Sequence, residues 1–396
     1  MISVDEATSR IVAAFRKGAS EAVSISDAEG RVVAADAIAT NTQPPYDVSS
    51  MDGYAVRAAD VTQVGAKLKI IGVSPAGHPF FGRADRGETV RIFTGGVMPE
   101  GTDSVIIQED ACTEGDGVTF NVAAIQGRHV RKAGLDFRCG DVVVGAGHRL
   151  TARDLSLLAA AGLASVEVGL KPRVVFAATG DELSRPGDPG KPGGIVAASG
   201  YALAAMIRRW GGEPVDLGIL PDTMDAIASV AKAADSADLV VTIGGASVGD
   251  HDLVQRALGP QGFELDFWKI AMRPGKPLIF GRLGRTPVLG LPGNPVSTLV
   301  CAILFVQPAL ATMLGTVCNS RTSIAKLAHP LNVNDARQDY IRASTQIRNG
   351  ELWVEPFAVQ DSSMLSTFAK SDCLIVRKPQ APAVAAGDRV DILPLD

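Results

Sequence analysis

Two hydrophobic patterns divide the chain. From about 54 to 134, short β-type runs such as LKIIGV (68–73), TVRIFT (89–94) and SVIIQE (104–109) alternate with glycine and proline. Short runs bounded by turn residues predict a small inserted β domain. From 172 to 314, apolar β-branched runs alternate with helical segments, which predicts a three-layer α/β domain with a mainly parallel sheet.

Strands and helices of this α/β domain can be placed from the same alternation. We expect strands near 173–178, 214–219, 238–243, 277–280 and 287–291, and helices near 200–210, 223–234, 253–258 and 295–314. Polar residues and a proline interrupt the apolar residues 296–314, which favours a buried helix over a membrane span.

The two ends of the chain carry different signals. Ser3 and Glu6 have capping-box spacing, so we expect a first helix that runs to about Lys17 and ends at Gly18. From Gly315 onward β-type runs return, which predicts a second small β domain with a barrel-like form.

Composition and charge restrict the function classes. A hydrophobic fraction of 46% and a charged fraction of 20% are typical of a soluble globular protein. The net charge of −5 does not favour a nucleic-acid binder, and the N-terminus lacks a signal-peptide pattern. The five cysteines include no CxxC pair, so reduced cytosolic thiols are expected rather than a disulfide framework or a zinc site.

Three predicted strand ends carry residues that suit a bound anion. VVFAATGDEL (174–183), LVVTIGGASVGD (239–250) and VLGLPGNPVS (288–297) each leave an apolar run at glycine. Glycine lets a ligand approach bare backbone N–H groups. Asn294 and Pro295 are good helix-starting residues, so a helix N-terminus is expected at the same edge of the sheet.

Acidic and basic residues accompany these glycines. Asp181, Glu182 and Asp250 supply the oxygen ligands that Mg²⁺ prefers. In MRPGKP, Arg273 and Lys276 flank a turn and suit a phosphate or another tetrahedral oxyanion. Each motif also has a plain structural interpretation, as a helix start, a glycine turn or a solvated hairpin tip. Asp52 and Thr94 lie in further polar, glycine-containing turns whose signal is weaker.

Together these residues predict an Mg²⁺-dependent site for a ligand with several negative charges, suited to phosphoanhydride chemistry. The sequence contains no Walker A motif, which disfavours an ordinary P-loop NTPase.

The motifs resemble those of the MoeA-type molybdopterin molybdenumtransferases, the family that includes the E domain of gephyrin. PPYDVSSMDGYAV, IFTGGVMPEGTDSVI, ATGDEL, GGASVGDHD, MRPGKPL and GLPGNPVS appear in that family's order and spacing. The resemblance implies that molybdenum from molybdate is inserted into the dithiolene of adenylylated molybdopterin, with Mg²⁺-dependent release of AMP.

The resemblance also implies an architecture. A homodimer is expected, with each active site in a cleft between subunits, in the cytoplasm, without nucleic acid or membrane. Molybdopterin adenylyltransferase and molybdoenzyme acceptors are further partner candidates. We divide the chain into an N-terminal helix packing on the α/β domain (1–22), an elongated linking domain (23–43 and 132–168), the inserted β domain (44–131), the molybdopterin-binding α/β domain (169–315) and the C-terminal β domain (316–396).

Roles follow from the family's motifs. Asp52, from the partner subunit, with Glu182 and Asp250, is expected to be catalytic, and Asp181, Glu182 and Asp250 to hold the metal. The expected contacts to cofactor or oxyanion are Thr94, Thr179, Gly180, Gly244, Gly245, Ser247, Gly249, Arg273, Lys276, Pro292, Gly293, Asn294 and Ser297. Arg342 and Ser366 are further candidates for oxyanion contact.

One departure from the family's pattern keeps two alternatives open. Ala197, Ala198 and Ser199 stand where the family usually has an Asp/Asn-Ser-Asn run. A nucleotide hydrolase or adenylylating enzyme on the same fold would turn over plain nucleotide without pterin. A catalytically impaired binding or scaffold paralogue would bind cofactor and release no AMP.

Overall fold

A computed structural model of the protein describes residues 1–245, 253–317 and 322–395. Its α/β domain contains a six-stranded sheet with the spatial order Glu213–Leu220, Arg173–Thr179, Leu239–Ile243, Thr286–Leu291, Ile279–Leu283 and Phe263–Trp268. The pairings among the first four strands are parallel, and the last two are antiparallel. The carboxyl ends of four neighbouring strands therefore lie at one edge.

Helices cover both faces of this sheet. They are Ser199–Arg209, Met224–Ala228, Ala231–Ala234, Leu253–Leu258 and Pro295–Leu314. Neighbouring residues of one strand enter different cores: Val241 packs in the core with Phe305, while Val240 packs in the core with Val254. Two buried faces explain the continuous apolar runs of the strands, and they confirm the three-layer prediction.

Several predicted boundaries shift. The first helix is Val4–Ala13, where Ser3 accepts a hydrogen bond from the Glu6 N–H at 3.1 Å, so it ends before the expected Lys17. The segment 223–234 forms two short helices rather than one. The edge strand Phe263–Trp268 was not predicted, because half of its residues are exposed and it lacks an apolar run.

The long helix changes form part-way. It runs from Pro295–Cys301 through a π-helical segment, Ala302–Val306, to Gln307–Leu314. Pro308 has no N–H for an ordinary α-helical bond, which explains a wider turn just before it. In the described chain this helix is long and apolar enough to cross a membrane, but 72% of its most apolar window is buried inside the protein.

The inserted β domain is a six-stranded sheet. Its order is Ser104–Ile107, Gly53–Val56, Glu88–Ile92, Lys67–Ser74, Gly117–Phe120 and Ala111–Glu114. Short ladders join it to the rest of the chain: Ser20–Ser24 with Ser165–Gly169, Ala37–Ile38 with Val142–Val144, and Val48–Ser49 with Val130–Arg131. The helix Ala152–Ala160 packs beside them and begins at a capping box of Thr151 and Asp154.

The C-terminal domain closes into a five-stranded barrel. Its strands are Ser323–Leu327, Gln338–Arg348, Glu351–Pro356, Cys373–Arg377 and Arg389–Pro394. Closure occurs because Gln338–Arg348 pairs with both Glu351–Pro356 and Cys373–Arg377. The short strand Met272–Arg273 of the α/β domain joins the same sheet. The predicted fold class, with its barrel-like C-terminal domain, is confirmed.

Candidate active site

The ends of three strands meet at a surface of backbone atoms that includes Gly244, Gly245 and Gly293, which we call the glycine floor. The Gly244 N–H donates to the Leu291 carbonyl oxygen at 3.0 Å. Gly244 has φ +90°, and a Cβ added there would lie 2.7 Å from the Thr179 carbonyl oxygen. A Cβ on Gly293 would lie 3.5 Å from the Gly244 Cα. Only glycine fits at position 244, and the structure brings these predicted residues together.

Thr179 adds a buried hydroxyl to this floor. Its Oγ1 has no hydrogen-bond partner among the described residues. A Cβ on Gly245, which has φ +69°, would lie 3.0 Å from this oxygen. A buried hydroxyl without a partner is unfavourable. The Thr179 hydroxyl, at the end of its strand, is therefore free to form a hydrogen bond with a ligand.

The predicted acidic pair lies at the next strand end. A Cβ on Gly180 would come within 2.5 Å of Glu182 Oε2, so the carboxylate of Glu182 lies over that glycine. Asp181 Oδ1 accepts a hydrogen bond from the Asp222 N–H at 3.1 Å, and Lys191 Nζ donates to the Asp181 carbonyl oxygen at 2.9 Å.

Asp222 is a third acid that the sequence analysis missed. Burial, and then the charges of Asp181 and Glu182, raise the pKa of Asp222 above its ordinary value. It follows the strand Glu213–Leu220, so the strand-end signal used elsewhere would have found it. Asp181, Glu182 and Asp222 concentrate negative charge at this end of the sheet, which we call the acidic corner.

We predict that Asp222→Asn raises the melting temperature at pH 7. A raised pKa in the folded state means that ionised Asp222 destabilises the protein, and this penalty disappears as the pH falls through the raised pKa towards 3.8. Thermal unfolding of both proteins at pH 7 and pH 4 should show a difference that shrinks at pH 4. The same change at the exposed Asp188 is the control, and a lower melting temperature for Asp222→Asn at pH 7 would contradict the prediction.

Three expected site residues, Ser247, Gly249 and Asp250, lie outside the described residues. The predicted metal set of Asp181, Glu182 and Asp250 is therefore not assembled from described residues alone. Among the described residues there is no group of three His, Cys, Asp or Glu side chains that could hold a metal.

The predicted helix start borders the glycine floor. Asn294 is the N-cap residue of the helix, as predicted, but its side chain makes no capping hydrogen bond; its Nδ2 donates to Ser362 Oγ at 3.0 Å. The Val296 N–H donates to the Ser362 carbonyl oxygen at 3.1 Å. Ser297 is 4% exposed, and its hydroxyl has no hydrogen bond to a described residue. Pro292 is the link between the third strand end and this helix, and its carbonyl oxygen accepts from Thr298 Oγ1 at 2.6 Å.

The two predicted cations, Arg273 and Lys276, have different surroundings. A Cβ on Gly275 would lie 2.5 Å from Cys301 Sγ, so the turn before Lys276 packs on the second turn of the long helix. Lys276 is half-buried, and its ammonium has no salt bridge with a described residue. Arg273 instead pairs with Asp339 of the barrel, and with Asp335 at 3.4 Å. The hydrogen bond that Arg273 donates to the Asp339 carboxylate raises the pKa of the Arg273 guanidinium.

Asp52 and Thr94 form one unit. Asp52 Oδ1 accepts hydrogen bonds from the Thr94 N–H at 2.7 Å and from Thr94 Oγ1 at 2.9 Å. These bonds lower the pKa of Asp52. The pair lies at the inserted sheet, and no hydrogen bond or salt bridge among the described residues links it to the strand edge.

The remaining candidates differ in exposure. Ser366 is exposed on the helix Leu365–Ala369. Arg342 is 1% exposed, and its guanidinium donates to Gln360 and to the Asp361 carbonyl oxygen rather than facing solvent.

Ala197 lines a cavity of about 270 Å³, with Gly200 and Tyr201, beside the strand Arg173–Thr179.

Comparison with known proteins identifies the family. Three family models match in order: the MoeA N-terminal region (domain I and II) over residues 2–162, a probable molybdopterin binding domain over 176–312, and the MoeA C-terminal region (domain IV) over 325–395. The chain belongs to the MoeA family. The resemblance that the six motifs predicted is thereby confirmed.

Individual MoeA relatives match along all or nearly all of their length. A molybdopterin molybdenumtransferase of Haemophilus influenzae is 37% identical, covering 100% of this chain and 99% of the relative. That of Bacillus subtilis is 31% identical, covering 99% and 94%. A crystal structure of a molybdopterin biosynthesis MoeA protein from Pyrococcus horikoshii has a TM-score of 0.88 at 28% identity, covering 100% of both chains.

Proposed function

We propose that this MoeA protein is a molybdopterin molybdenumtransferase. It inserts molybdenum from molybdate into the dithiolene of adenylylated molybdopterin and releases AMP. The observation that carries the proposal is that the glycine floor and the helix start at Ser297 share one sheet edge with the turn of Lys276, which leads into the pairing of Ile279 with Gly290. Full-length relatives that bear this enzyme's name support it.

The residues divide the work by their chemistry. Lys276 and the helix start of Ser297 attract and orient a tetrahedral oxyanion. The backbone of Gly244, Gly245 and Gly293 lets a phosphate-bearing ligand approach closely. These contacts lower the cost of the negative charge that builds up when the phosphoanhydride is cleaved.

Mg²⁺ would bind at the acidic corner with the help of Asp250, because the described acids alone form no metal-binding group of three side chains. Burial, and then the charges of Asp181 and Glu182, raise the pKa of Asp222, so a divalent cation here would offset concentrated negative charge. Asp181 and Glu182, with Asp250, would hold the ion. When bound, it would supply charge stabilisation for phosphoanhydride cleavage.

We further propose that two subunits share each site, with Asp52 and Thr94 reaching the strand edge of the partner. A mixture of Asp52→Ala and Lys276→Ala subunits tests this. In a shared-site dimer, random mixing restores about a quarter of wild-type activity, since half of the dimers carry one intact site. If each site lies within one subunit, the mixture stays as inactive as the two variants alone.

The decisive experiment for the reaction measures AMP release from adenylylated molybdopterin with and without molybdate. We expect release that depends on molybdate. Turnover of plain nucleotide without pterin would instead support the hydrolase or adenylylating alternative. Tight cofactor binding without AMP release would support the binding or scaffold alternative. A cytoplasmic location, and hand-over of product to molybdoenzymes, belong to the same proposal.

A further inference from the structure

A loop of the barrel, residues 357–364, is fastened by one amide. Gln360 Oε1 accepts hydrogen bonds from the Arg342 N–H at 3.0 Å and from Arg342 Nε at 3.1 Å. Gln360 Nε2 donates to the Arg342 carbonyl oxygen at 2.9 Å and to the Phe357 carbonyl oxygen at 2.8 Å. The amide therefore makes four hydrogen bonds, and it joins the loop to the strand Gln338–Arg348.

Arg342 strengthens the same attachment. Its Nη1 donates to the Asp361 carbonyl oxygen at 2.6 Å, and the residue is only 1% exposed. Its described acceptors are neutral oxygens of the loop, so loop and guanidinium depend on each other.

The far end of the loop reaches the helix start in the α/β domain. The Ser362 carbonyl oxygen accepts from the Val296 N–H at 3.1 Å, and Ser362 Oγ accepts from Asn294 Nδ2 at 3.0 Å. Pro295 has no N–H, so Val296 carries the first free donor of the helix. Because Ser362 takes that donor, the N–H and hydroxyl of Ser297 become the first ones without an acceptor among the described residues.

We propose that Gln360 is a positioning residue. By fixing the loop 357–364, it places Ser362 on the helix start and so determines which donors remain for the oxyanion. The inference rests on the proposed function for its ligand, a tetrahedral oxyanion. Its contact geometry does not depend on that function.

Gln360→Leu removes all four bonds and is the main test, with molybdate as the probe. We expect the KM for molybdate to rise about tenfold, because the released helix start no longer holds the Ser297 donors in position for the oxyanion, while kcat stays within about twofold. Hydrogen exchange at the Val296 amide should accelerate, because its acceptor is no longer held in place. Gln360→Glu keeps the acceptor for Arg342, so its KM for molybdate should lie between the values for the wild type and for Gln360→Leu.

Asp372→Asn is the matched control. Asp372 anchors a different part of the barrel by accepting from the Thr345 N–H at 2.7 Å. It should leave the molybdate KM and the exchange of Val296 unchanged. If Gln360→Leu also leaves the molybdate KM and the exchange of Val296 unchanged, or lowers only the free energy of unfolding, the positioning role is wrong.

A double-mutant cycle separates the steps. If Gln360 acts through Ser362, Gln360→Leu combined with Asn294→Ala should raise the KM by less than the product of the single effects; independent effects would contradict the proposed route. A wild-type protein without molybdate-dependent AMP release would refute the function. Exchange at Val296 would still test the loop.

Discussion

Lys276→Ala is expected to lower kcat/KM for molybdate-dependent AMP release about 100- to 1,000-fold, the usual cost of removing one preorganised oxyanion donor. Lys276 is half-buried, its ammonium has no salt bridge within the described chain, and its turn packs on the helix that contains Ser297. Its charge is therefore available to a ligand. Steady-state kinetics with molybdate as the varied substrate measure the effect.

Arg273→Ala provides the contrast, because the same motif contains both cations. The charge of Arg273 is engaged by Asp335 and Asp339, and the side chain of Asp339 is 8% exposed. Removing Arg273 leaves a buried carboxylate without its partner, so we expect a loss of about 1–3 kcal/mol in unfolding free energy. The loss of kcat/KM should be smaller than for Lys276→Ala. Equal kinetic losses would show that Arg273 leaves its partners to meet the substrate.

Gly53→Ala is expected to destabilise the inserted β domain by about 3 kcal/mol and to abolish activity. Gly53 pairs with Ile92 on one side and Ile107 on the other. A Cβ there would lie 2.0 Å from the Ile106 carbonyl oxygen, so the ladder must open. Opening the ladder displaces the adjacent Asp52. Urea unfolding, with activity assayed below the transition, measures both effects.

Gly117→Ala in the same sheet is the control for this steric argument. A Cβ at Gly117 would make an ordinary contact, 3.5 Å from the Glu114 carbonyl oxygen. We expect a change within about 1 kcal/mol and full activity. If Gly53→Ala unfolds at the same urea concentration as wild type, the pairing around Gly53 is wrong.

Periodic patterns made much of the fold predictable. The strands Arg173–Thr179 and Leu239–Ile243 are buried on both faces, so their residues form continuous apolar runs that stand out in any window. The edge strand Phe263–Trp268 is half exposed and gives no such signal, and it was missed. Its position depends on pairing with Ile279–Leu283, which is a long-range contact.

The sequence by itself determined the local chemistry: which strands end in glycine, where Pro295 starts a helix, and which acids and cations follow. These properties depend on backbone conformation and neighbouring residues, so they can be read from short segments. Only the tertiary structure decided how these groups combine. It paired Arg273 with Asp339, joined Asp52 to Thr94, added Asp222 to the acidic corner and brought Ser362 to Val296. Partners distant along the chain compete for each polar group, and that competition is resolved only when the domains pack.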